Sequence, residues 1–390
     1  MSDFYARLSD PGGLIPAGTP LRYPGEAALG GWLTEAELDA ATDAIRSSMD
    51  WRSGFSSHEE VGAFESELAA YCGVRNVVAV NAAGTALDLV LKTLELKPDD
   101  EVIAPSINFH GTHLAILNTG ARLVFCESEP HTLNADPDDV ARRITKRTRA
   151  VLVTHMNGIP ADVERITAAG AGRPVIYDAA RALGAKYRGR IIGGEGWATI
   201  FSLQSKKQMT ALGEGGAIAT NDDDLARRLR RMRTFGEGSE WGSNFRLTKP
   251  QAAVARVQLR RLEEMVAVRR RAAVLREDVL RRAAGVLLPA AQEGDRNSVY
   301  VHALLLPSGW TREDRDRLIA RLAIEHGIGC VVANPPTYQS SRYIATRVTQ
   351  RTPLSEEIAS RLICPSFHPL MTDEEHWEIC EAVVKAIASR

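Results

Sequence analysis

Two adjacent lysines are the first candidates for chemistry, in the segment 201–216, which reads FSLQSKKQMTALGEGG. Lys206 and Lys207 lie between an apolar segment that ends at Phe201 and a glycine-rich turn that leads into a second apolar segment. The chain has eight lysines among its 48 basic residues, so such a pair is unusual. A lysine kept partly out of water shifts toward its neutral amine, which can form a Schiff base. The segment therefore predicts covalent chemistry at a lysine.

Three other stretches carry groups that suit a flat, phosphorylated ligand. Segment 81–86 follows an apolar pattern and opens a helix, so its backbone N–H groups and the Thr85 hydroxyl could hold a phosphate. Phe109 could stack on a ring, and Asp178 could keep a ring nitrogen protonated. Taken singly, each has an ordinary alternative: a capped strand-to-helix turn, a core phenylalanine and a helix cap.

The elements that position these groups alternate between short apolar strands and helices. The pattern predicts strands at residues 77–80, 101–104, 122–125, 149–154, 174–177, 198–201 and 217–220. Such alternation is typical of parallel strands joined by helices that cover both faces of the sheet. Ligands then bind beyond the carboxyl ends of the strands, where the four candidate groups would meet. Together they are the parts that pyridoxal 5'-phosphate requires.

The flanking segments predict the domain organisation. A capping box at Thr34 and Glu37 begins a helix whose apolar stripe is Leu38, Ala41 and Ile45, and a second helix covers residues 58–71. A long helix at 250–282 precedes strand-like segments at 299–305 and 329–332 and helices at 313–326 and 373–387. We expect an N-terminal arm (1–30), a large cofactor-binding domain (31–258) and a small C-terminal domain (259–390).

Composition excludes several other classes of protein. A net charge of -1 gives no field that would attract nucleic acid or an anionic membrane. The five cysteines include no C-x-x-C pair, which argues against disulfides and a zinc site, and we expect no metal. No signal sequence and no apolar run of about 18 residues is present, so we expect a cytoplasmic protein.

With these residues in view, the chain resembles the DegT/StrS-type aminotransferases, which are sugar and aminocyclitol transaminases of fold type I, the aspartate aminotransferase class. The most specific match is the F-S…K…G-E-G-G block at 201–216; others are N-F-R at 244–246, Q-A-A at 251–253 and 178–189. The resemblance covers nearly the whole chain. It implies an α/β fold with a large, mostly parallel-sheet domain and a smaller C-terminal α+β domain.

The resemblance also implies roles for single residues and a homodimer. Lys207, five residues after the serine of F-S, matches the lysine that holds pyridoxal 5'-phosphate, with Asp178 at the pyridine nitrogen and Phe109 stacked on the ring. Asn244 matches an asparagine that reaches the phosphate of the neighbouring subunit. The remaining residues implied to contact the cofactor are Gly84, Thr85, Ala86, Ser202 and Gln204.

Three positions depart from the family pattern. Arg181, which we group with the cofactor-binding residues, stands where the family usually has His or Gln. Its fixed charge would oppose protonation of the ring nitrogen unless it points away or meets a substrate carboxylate. One extra residue lies within 211–212, and Tyr177 stands where an acidic residue often precedes the aspartate.

The resemblance implies an aminotransferase that moves an amino group from glutamate or glutamine to a keto sugar or keto cyclitol, in secondary-metabolite or cell-surface sugar biosynthesis. Lys207 would be the base that moves the proton. Two alternatives remain open at this point. One is another reaction of the same cofactor, such as elimination, dehydration or decarboxylation; the other is a non-catalytic homologue with a regulatory role.

Overall fold

A computed structural model describes residues 15, 18–56 and 58–389, so most of the predicted arm lies outside the described residues. The strands are β1 Asn76–Val80, β2 Glu101–Pro105, β3 Arg122–Cys126, β4 Thr148–Thr154, β5 Val175–Asp178, β6 Lys186–Tyr187, β7 Arg190–Ile191, β8 Ala198–Ser202, β9 Gly216–Thr220, β10 Leu304–Leu305, β11 Cys330–Val331 and β12 Leu362–Pro365. The α-helices are α1 Glu35–Arg46, α2 His58–Cys72, α3 Ala83–Thr93, α4 His110–Asn118, α5 Pro137–Arg143, α6 Val163–Ala169, α7 Asp223–Arg233, α8 Lys249–Leu280, α9 Arg312–His326, α10 Thr337–Ser340, α11 Arg342–Ala345, α12 Pro353–Arg361 and α13 Asp373–Ala388.

A seven-stranded sheet forms the centre of the fold, in the order β1-β9-β8-β5-β4-β2-β3. The neighbouring strands from β3 across to β8 pair in parallel, as the alternation of strands and helices predicts. β9 is the exception, because it runs antiparallel to both β1 and β8. The lysine loop (residues 203–215) joins β8 to β9 without a helix, and a direct return of this kind reverses the strand.

Both faces of the sheet are buried, as expected from its continuous apolar strands. In β1, Val78 and Val80 belong to one core with the apolar side of α3, whereas Val77 and Ala79 belong to another that includes α2 and α8. This division follows from the alternation of side chains along a strand. The fold is therefore a layered α/β domain with one sheet edge left for a site.

Helix α1 departs from its predicted orientation. Thr34 and Glu37 form the expected capping box. The apolar stripe, however, is exposed at Leu38 (59%) and Ile45 (52%). The buried face instead presents Glu37, which accepts hydrogen bonds from Gln258 and Arg261 of α8, both at 2.6 Å. Polar pairing with α8, rather than the apolar stripe, sets the orientation of this helix.

Helix α8 runs from the large core into the C-terminal core. Leu259 and Leu262 pack beside the central sheet, while Val279 and Leu280 pack in the core of the C-terminal part. The predicted domain boundary at 258/259 falls inside this helix and stays a prediction. The C-terminal part contains a three-stranded antiparallel sheet, β10-β12-β11, flanked by α9 and α13. Among the described residues, none of the helices has the length and apolar character needed to cross a membrane.

The predicted strand at 299–305 is wrong except at its end, where β10 consists of Leu304 and Leu305. Val299 has a φ of 51°, a left-handed conformation that is strained for a β-branched residue and incompatible with a strand. The carbonyls of Val299 and Tyr300 accept hydrogen bonds from the buried Arg269 of α8 instead of from a neighbouring strand. These contacts hold Tyr300 against the lysine loop.

Candidate active site

The two lysines of the lysine loop, Lys206 and Lys207, have different surroundings. Lys206 forms an ion pair with Glu26, with Nζ 2.7 Å from Oε2. The Lys207 side chain is half-buried, with Nζ 4.7 Å from the centroid of the Tyr300 ring. Burial lowers the pKa of the Lys207 amine to about 7; the Arg181 cation acts in the same direction, and the carboxylates of Asp178 and Glu26 oppose both. Lys207 is therefore the lysine whose amine loses its proton readily near neutral pH.

Asp178 is the last residue of β5, at the carboxyl end of the parallel strands. Its carboxyl group is buried and fixed from two sides. One oxygen accepts a hydrogen bond from the Thr112 hydroxyl at 2.9 Å, and the other accepts from the Ala180 backbone N–H at 2.9 Å. Thr112 lies in the first turn of α4, so two elements orient this carboxyl group toward the same edge of the sheet.

The residues predicted to hold a phosphate lie in the first turn of α3. Gly84 and Thr85 lie among the helix residues whose backbone N–H groups have no partner within the helix, and Ala86 is buried beneath them. Gly216 packs directly against this turn, because a Cβ there would lie 2.5 Å from the Ala82 carbonyl carbon. Ser202 is the residue opposite Gly216 in the pairing of β8 with β9, so Ser202 also lies near the first turn of α3.

Three predicted residues lie apart from this cluster or turn away from it. The Phe109 side chain is 45% exposed, and its ring contacts that of His110 at 4.4 Å between centroids. Gln204 folds back on its own loop, where Oε1 accepts from the Lys206 backbone N–H and Nε2 donates to Ser205. Asn244 is exposed, and its side-chain oxygen accepts from Arg246 at 2.9 Å.

Arg181 lies beside the buried lysine. Its guanidinium carbon is 5.0 Å from the centroid of the same Tyr300 ring that Lys207 faces. Its Nη1 donates to Asn157 at 3.2 Å, and its Nη2 donates to Asn334 at 3.3 Å. The arginine therefore stands between the turn after β4 and the segment after β11, next to the lysine.

The sequence did not single out Glu26, Thr112 or Tyr300 as site residues. The Tyr300 hydroxyl donates to Glu26 at 3.1 Å, and Glu26 binds Lys206. Tyr300 is 274 residues and Lys206 is 180 residues from Glu26 along the chain, so no local sequence pattern predicts these contacts. Thr112 does carry a local signal, because its hydroxyl lies in the first turn of the helix that follows β2.

Unpaired polar atoms test whether this site suits a polar cofactor. Four buried side-chain atoms around the edge have no hydrogen-bond partner among the described residues: Asn81 Oδ1, Asn108 Nδ2, Asn157 Nδ2 and Gln208 Oε1. Buried polar atoms are normally paired, so such a group calls for a ligand or ordered water. With a helix N-terminus, a half-buried lysine and a fixed carboxyl group, these residues fit a phosphorylated pyridine aldehyde.

Comparison with known proteins gives a consistent result. Residues 33–384 match the model of the DegT/DnrJ/EryC1/StrS aminotransferase family. The erythromycin biosynthesis sensory transduction protein EryC1 of Saccharopolyspora erythraea is 33% identical over 354 residues, which are 87% of this chain and 95% of that protein. A dTDP-3-amino-3,4,6-trideoxy-alpha-D-glucose transaminase of Streptomyces venezuelae is 40% identical over 235 residues, 58% of this chain and 61% of the relative.

A solved structure is similar over the whole fold. The crystal structure of S. venezuelae DesV in complex with a ketimine intermediate has a TM-score of 0.81 and 30% sequence identity. The similarity covers 95% of this chain and 99% of DesV. The predicted fold class is thereby confirmed for this chain.

Proposed function

This chain belongs to the DegT/DnrJ/EryC1/StrS aminotransferase family, and from that premise we propose a specific reaction. The enzyme transfers an amino group from glutamate or glutamine to a keto sugar or keto cyclitol, with pyridoxal 5'-phosphate as cofactor, in secondary-metabolite or cell-surface sugar biosynthesis. The observation that carries this proposal is the half-buried Lys207, whose amine pKa is lowered by burial to about 7, at the sheet edge that also holds Asp178.

Residues from four elements would hold the cofactor. The first turn of α3, with Gly84, Thr85 and Ala86, suits the phosphate, because the helix dipole and the N–H groups of Gly84 and Thr85, which have no partner within the helix, attract an anion. Ser202 lies next to that turn through Gly216, and Gln204 would have to rotate to join it. Phe109 is exposed at the start of α4, where its ring is available to stack. Asp178 would pair with the ring nitrogen.

Lys207 is the residue that handles protons. Pyridoxal 5'-phosphate, when bound, supplies an electron sink for bonds at the substrate carbon. A base whose pKa is about 7 is half protonated near neutral pH, so Lys207 can both accept and return a proton. Thr112 keeps the Asp178 carboxyl group in one orientation, and Tyr300 covers the lysine on its other side.

We propose further that the enzyme is a homodimer in which the partner subunit's Asn244 completes each phosphate site. The exposure of Asn244 in one chain supports this arrangement. Asn244 also precedes Phe245, whose carbonyl accepts a hydrogen bond from the Asn81 backbone N–H at the end of β1. The segment is thus held at the correct edge of the sheet while its asparagine remains at the surface.

The half-reaction with the amino donor tests the proposal. Protein loaded with pyridoxal 5'-phosphate is mixed with L-glutamate or L-glutamine, and the absorbance of the bound cofactor and the keto acid formed are measured. We expect the absorbance to fall with one keto acid formed per site, and a keto sugar to restore it. Release of ammonia or carbon dioxide without stoichiometric keto acid would identify another reaction type instead.

Matched lysine variants test the residue assignment in the same assay. Lys207→Ala is expected to lose the covalent attachment of the cofactor and at least about 1,000-fold in rate, because the proton-transfer base is removed. Lys206→Ala should keep the attachment, because that side chain binds Glu26. The reverse pattern would show that the assignment is wrong by one residue.

A further inference from the structure

Arg181 is built into the site more firmly than a surface arginine. When the Asn334 amide is oriented with its oxygen toward the guanidinium, that oxygen accepts from Nη1 at 2.6 Å and from Nη2 at 3.1 Å. Asn157 accepts from Nη1 on the other side at 3.2 Å. Because a guanidinium has five N–H donors, these bonds leave donors for a ligand.

The two asparagines are themselves held in unusual conformations. Asn157 and Asn334 both have left-handed backbones, with φ of 55° and 56°. The turn at Asn157 is locked, because its carbonyl accepts from the Tyr300 N–H at 2.9 Å and a Cβ on Gly158 would lie 2.8 Å from Val299 N. Left-handed non-glycine residues persist where the surroundings impose them, and they are concentrated at functional sites. The arginine is thus fixed in place in advance.

No carboxylate of the described residues forms an ion pair with Arg181, and Glu26, which is near enough to interact with the Arg181 charge, is bonded to Lys206 and Tyr300. Lys206 is paired with Glu26, and the Asp178 carboxyl group is bonded to Thr112 and Ala180. The contacts of Arg181 within the described chain are neutral: two amides, the Met156 sulfur at 4.0 Å and the Tyr300 ring. A half-buried cation with neutral partners, beside the reacting lysine, is an anion site.

We infer that the Arg181 guanidinium binds the carboxylate of a substrate at the reacting centre. The planar fork of a guanidinium matches a carboxylate through two parallel hydrogen bonds, which a lysine cannot supply. The inference rests on the proposed function, because only the amino-transfer site brings a substrate beside Lys207. The carboxylate belongs either to the amino donor or to an acidic acceptor, and both sources present the same group to the arginine.

Binding of an inert probe tests this without turnover. Glutarate, and glutaramide as its uncharged control, are titrated by calorimetry into the cofactor-loaded wild type, Arg181→Gln and Arg181→Lys. We expect Arg181→Gln to bind glutarate about 10- to 100-fold more weakly, the range for a lost charge-assisted hydrogen bond, and Arg181→Lys to fall between. Glutaramide affinity should not change. Thermal melts of each variant record any change in folding.

Two half-reactions identify the source of the carboxylate. The donor arm compares L-glutamate with 4-aminobutyrate, which lacks the α-carboxylate; the acceptor arm compares 3-oxocyclohexanecarboxylate with cyclohexanone. If Arg181→Gln no longer prefers the compound with the carboxylate in one of the two arms, the inference is supported. The arm in which the preference is lost then shows whether the carboxylate belongs to the donor or to the acceptor. The inference is overturned if Arg181→Gln binds glutarate as tightly as the wild type does. It is also overturned if Arg181→Gln no longer takes up the cofactor but still binds glutarate. If the wild type itself takes up no cofactor, the proposed function fails, and the same glutarate titration of the cofactor-free wild type and Arg181→Gln then decides this inference.

Discussion

Lys206 and Lys207 are neighbours in the chain, yet their side chains meet different surroundings. Lys206 has a carboxylate partner, Glu26. The Lys207 side chain is largely removed from water and has a second cation, Arg181, nearby, and both favour the neutral form of its amine. A single step along the loop therefore separates an ion-pairing lysine from a nucleophilic one. This contrast gives a test that needs no cofactor.

The reactivity of Lys207 should titrate near pH 7. Because only the neutral amine reacts with acetic anhydride, trace labelling of the cofactor-free protein should rise through a midpoint near pH 7, far below about 10.4 for an ordinary lysine. Arg181 lowers the pKa of Lys207, so Arg181→Gln should move the midpoint to higher pH. Peptide mass spectrometry measures the labelling. An ordinary midpoint for Lys207 would show that its amine is hydrated.

At the scale of residues, the sequence was informative wherever function is encoded locally. The register from Ser202 identified Lys207, and the position after a strand identified Asp178; their roles stay predictions. The sequence did not predict Glu26 and Tyr300 as site residues, because their segments contact the lysine loop only in the folded chain. Such residues carry no spacing that a single sequence could display.

At the scale of elements, β9 packs closely against the first turn of α3, where we propose that the phosphate binds. A Cβ on Gly216 would lie 2.5 Å from the Ala82 carbonyl carbon and 2.6 Å from the Ala83 nitrogen, and backbone atoms cannot swing aside as a flexible side chain can. A Cβ on Gly84, one residue into the same turn, would meet no heavy atom within 4 Å. The two glycines thus form a matched pair.

Gly216→Ala should destabilise the protein, whereas Gly84→Ala should not. We expect Gly216→Ala to lose about 1–3 kcal/mol in the free energy of unfolding, the usual cost of overpacking. Gly84→Ala should be neutral or gain up to about 1 kcal/mol, because alanine suits a helix better. Urea denaturation of the cofactor-free protein measures both. Equal stability of the two variants would mean that β9 and α3 can move apart freely.

The positions of the strands could be predicted from the sequence, whereas the direction of β9 and the orientation of α1 could not. The strands of the central sheet were predicted within about two residues, because their apolar runs and their flanking turns are local. The direction of β9 was missed, since apolar content does not encode direction and only the absence of a crossover helix signals it. The apolar stripe of α1 is present but exposed. The helix buries Glu37 instead, because Glu37 accepts hydrogen bonds from residues of α8 that lie more than 200 residues away along the chain.

At the scale of the whole molecule, Arg269 joins three distant parts around the site. It lies in α8 and is buried, and it donates to the carbonyls of Val299 and Tyr300 and to that of Gly30 in the N-terminal segment. Gly30 in turn donates its N–H to the Ser205 carbonyl of the lysine loop. One side chain thereby fixes the N-terminal segment, the loop and the start of the C-terminal part relative to one another.

Removing Arg269 should therefore cost more than removing a neighbouring surface arginine. Arg269→Met leaves three carbonyls without their donor, and we expect a loss of about 2–3 kcal/mol in the free energy of unfolding. Arg271→Ala, on the same helix, breaks an exposed ion pair with Asp373 and should cost less than about 1 kcal/mol. Chemical denaturation compares them. Similar losses would contradict a joining role for Arg269.

The proposed dimer extends the site beyond one chain. Around α1 and the turn that follows it, Met49 (80% exposed), Trp51 (85%) and Phe55 (59%) form an apolar surface together with Leu38 and Ile45. Exposed apolar patches of this kind mark interfaces. The apolar stripe of α1, which the single chain leaves open, is explained if a second copy covers it.

Complementation between subunits should show whether Asn244 acts across the dimer. Lys207→Ala and Asn244→Ala each damage a site; when the two inactive variants are unfolded, mixed and refolded together, a mixed dimer regains one intact site only if Asn244 serves the partner. Random pairing then makes half the dimers mixed, so about a quarter of wild-type activity should return. Mixing Lys207→Ala with Asp178→Asn, whose residues share one chain's site, is the control and should restore nothing. Failure of the first mixture, with dimers present by light scattering, would place Asn244 in its own chain's site.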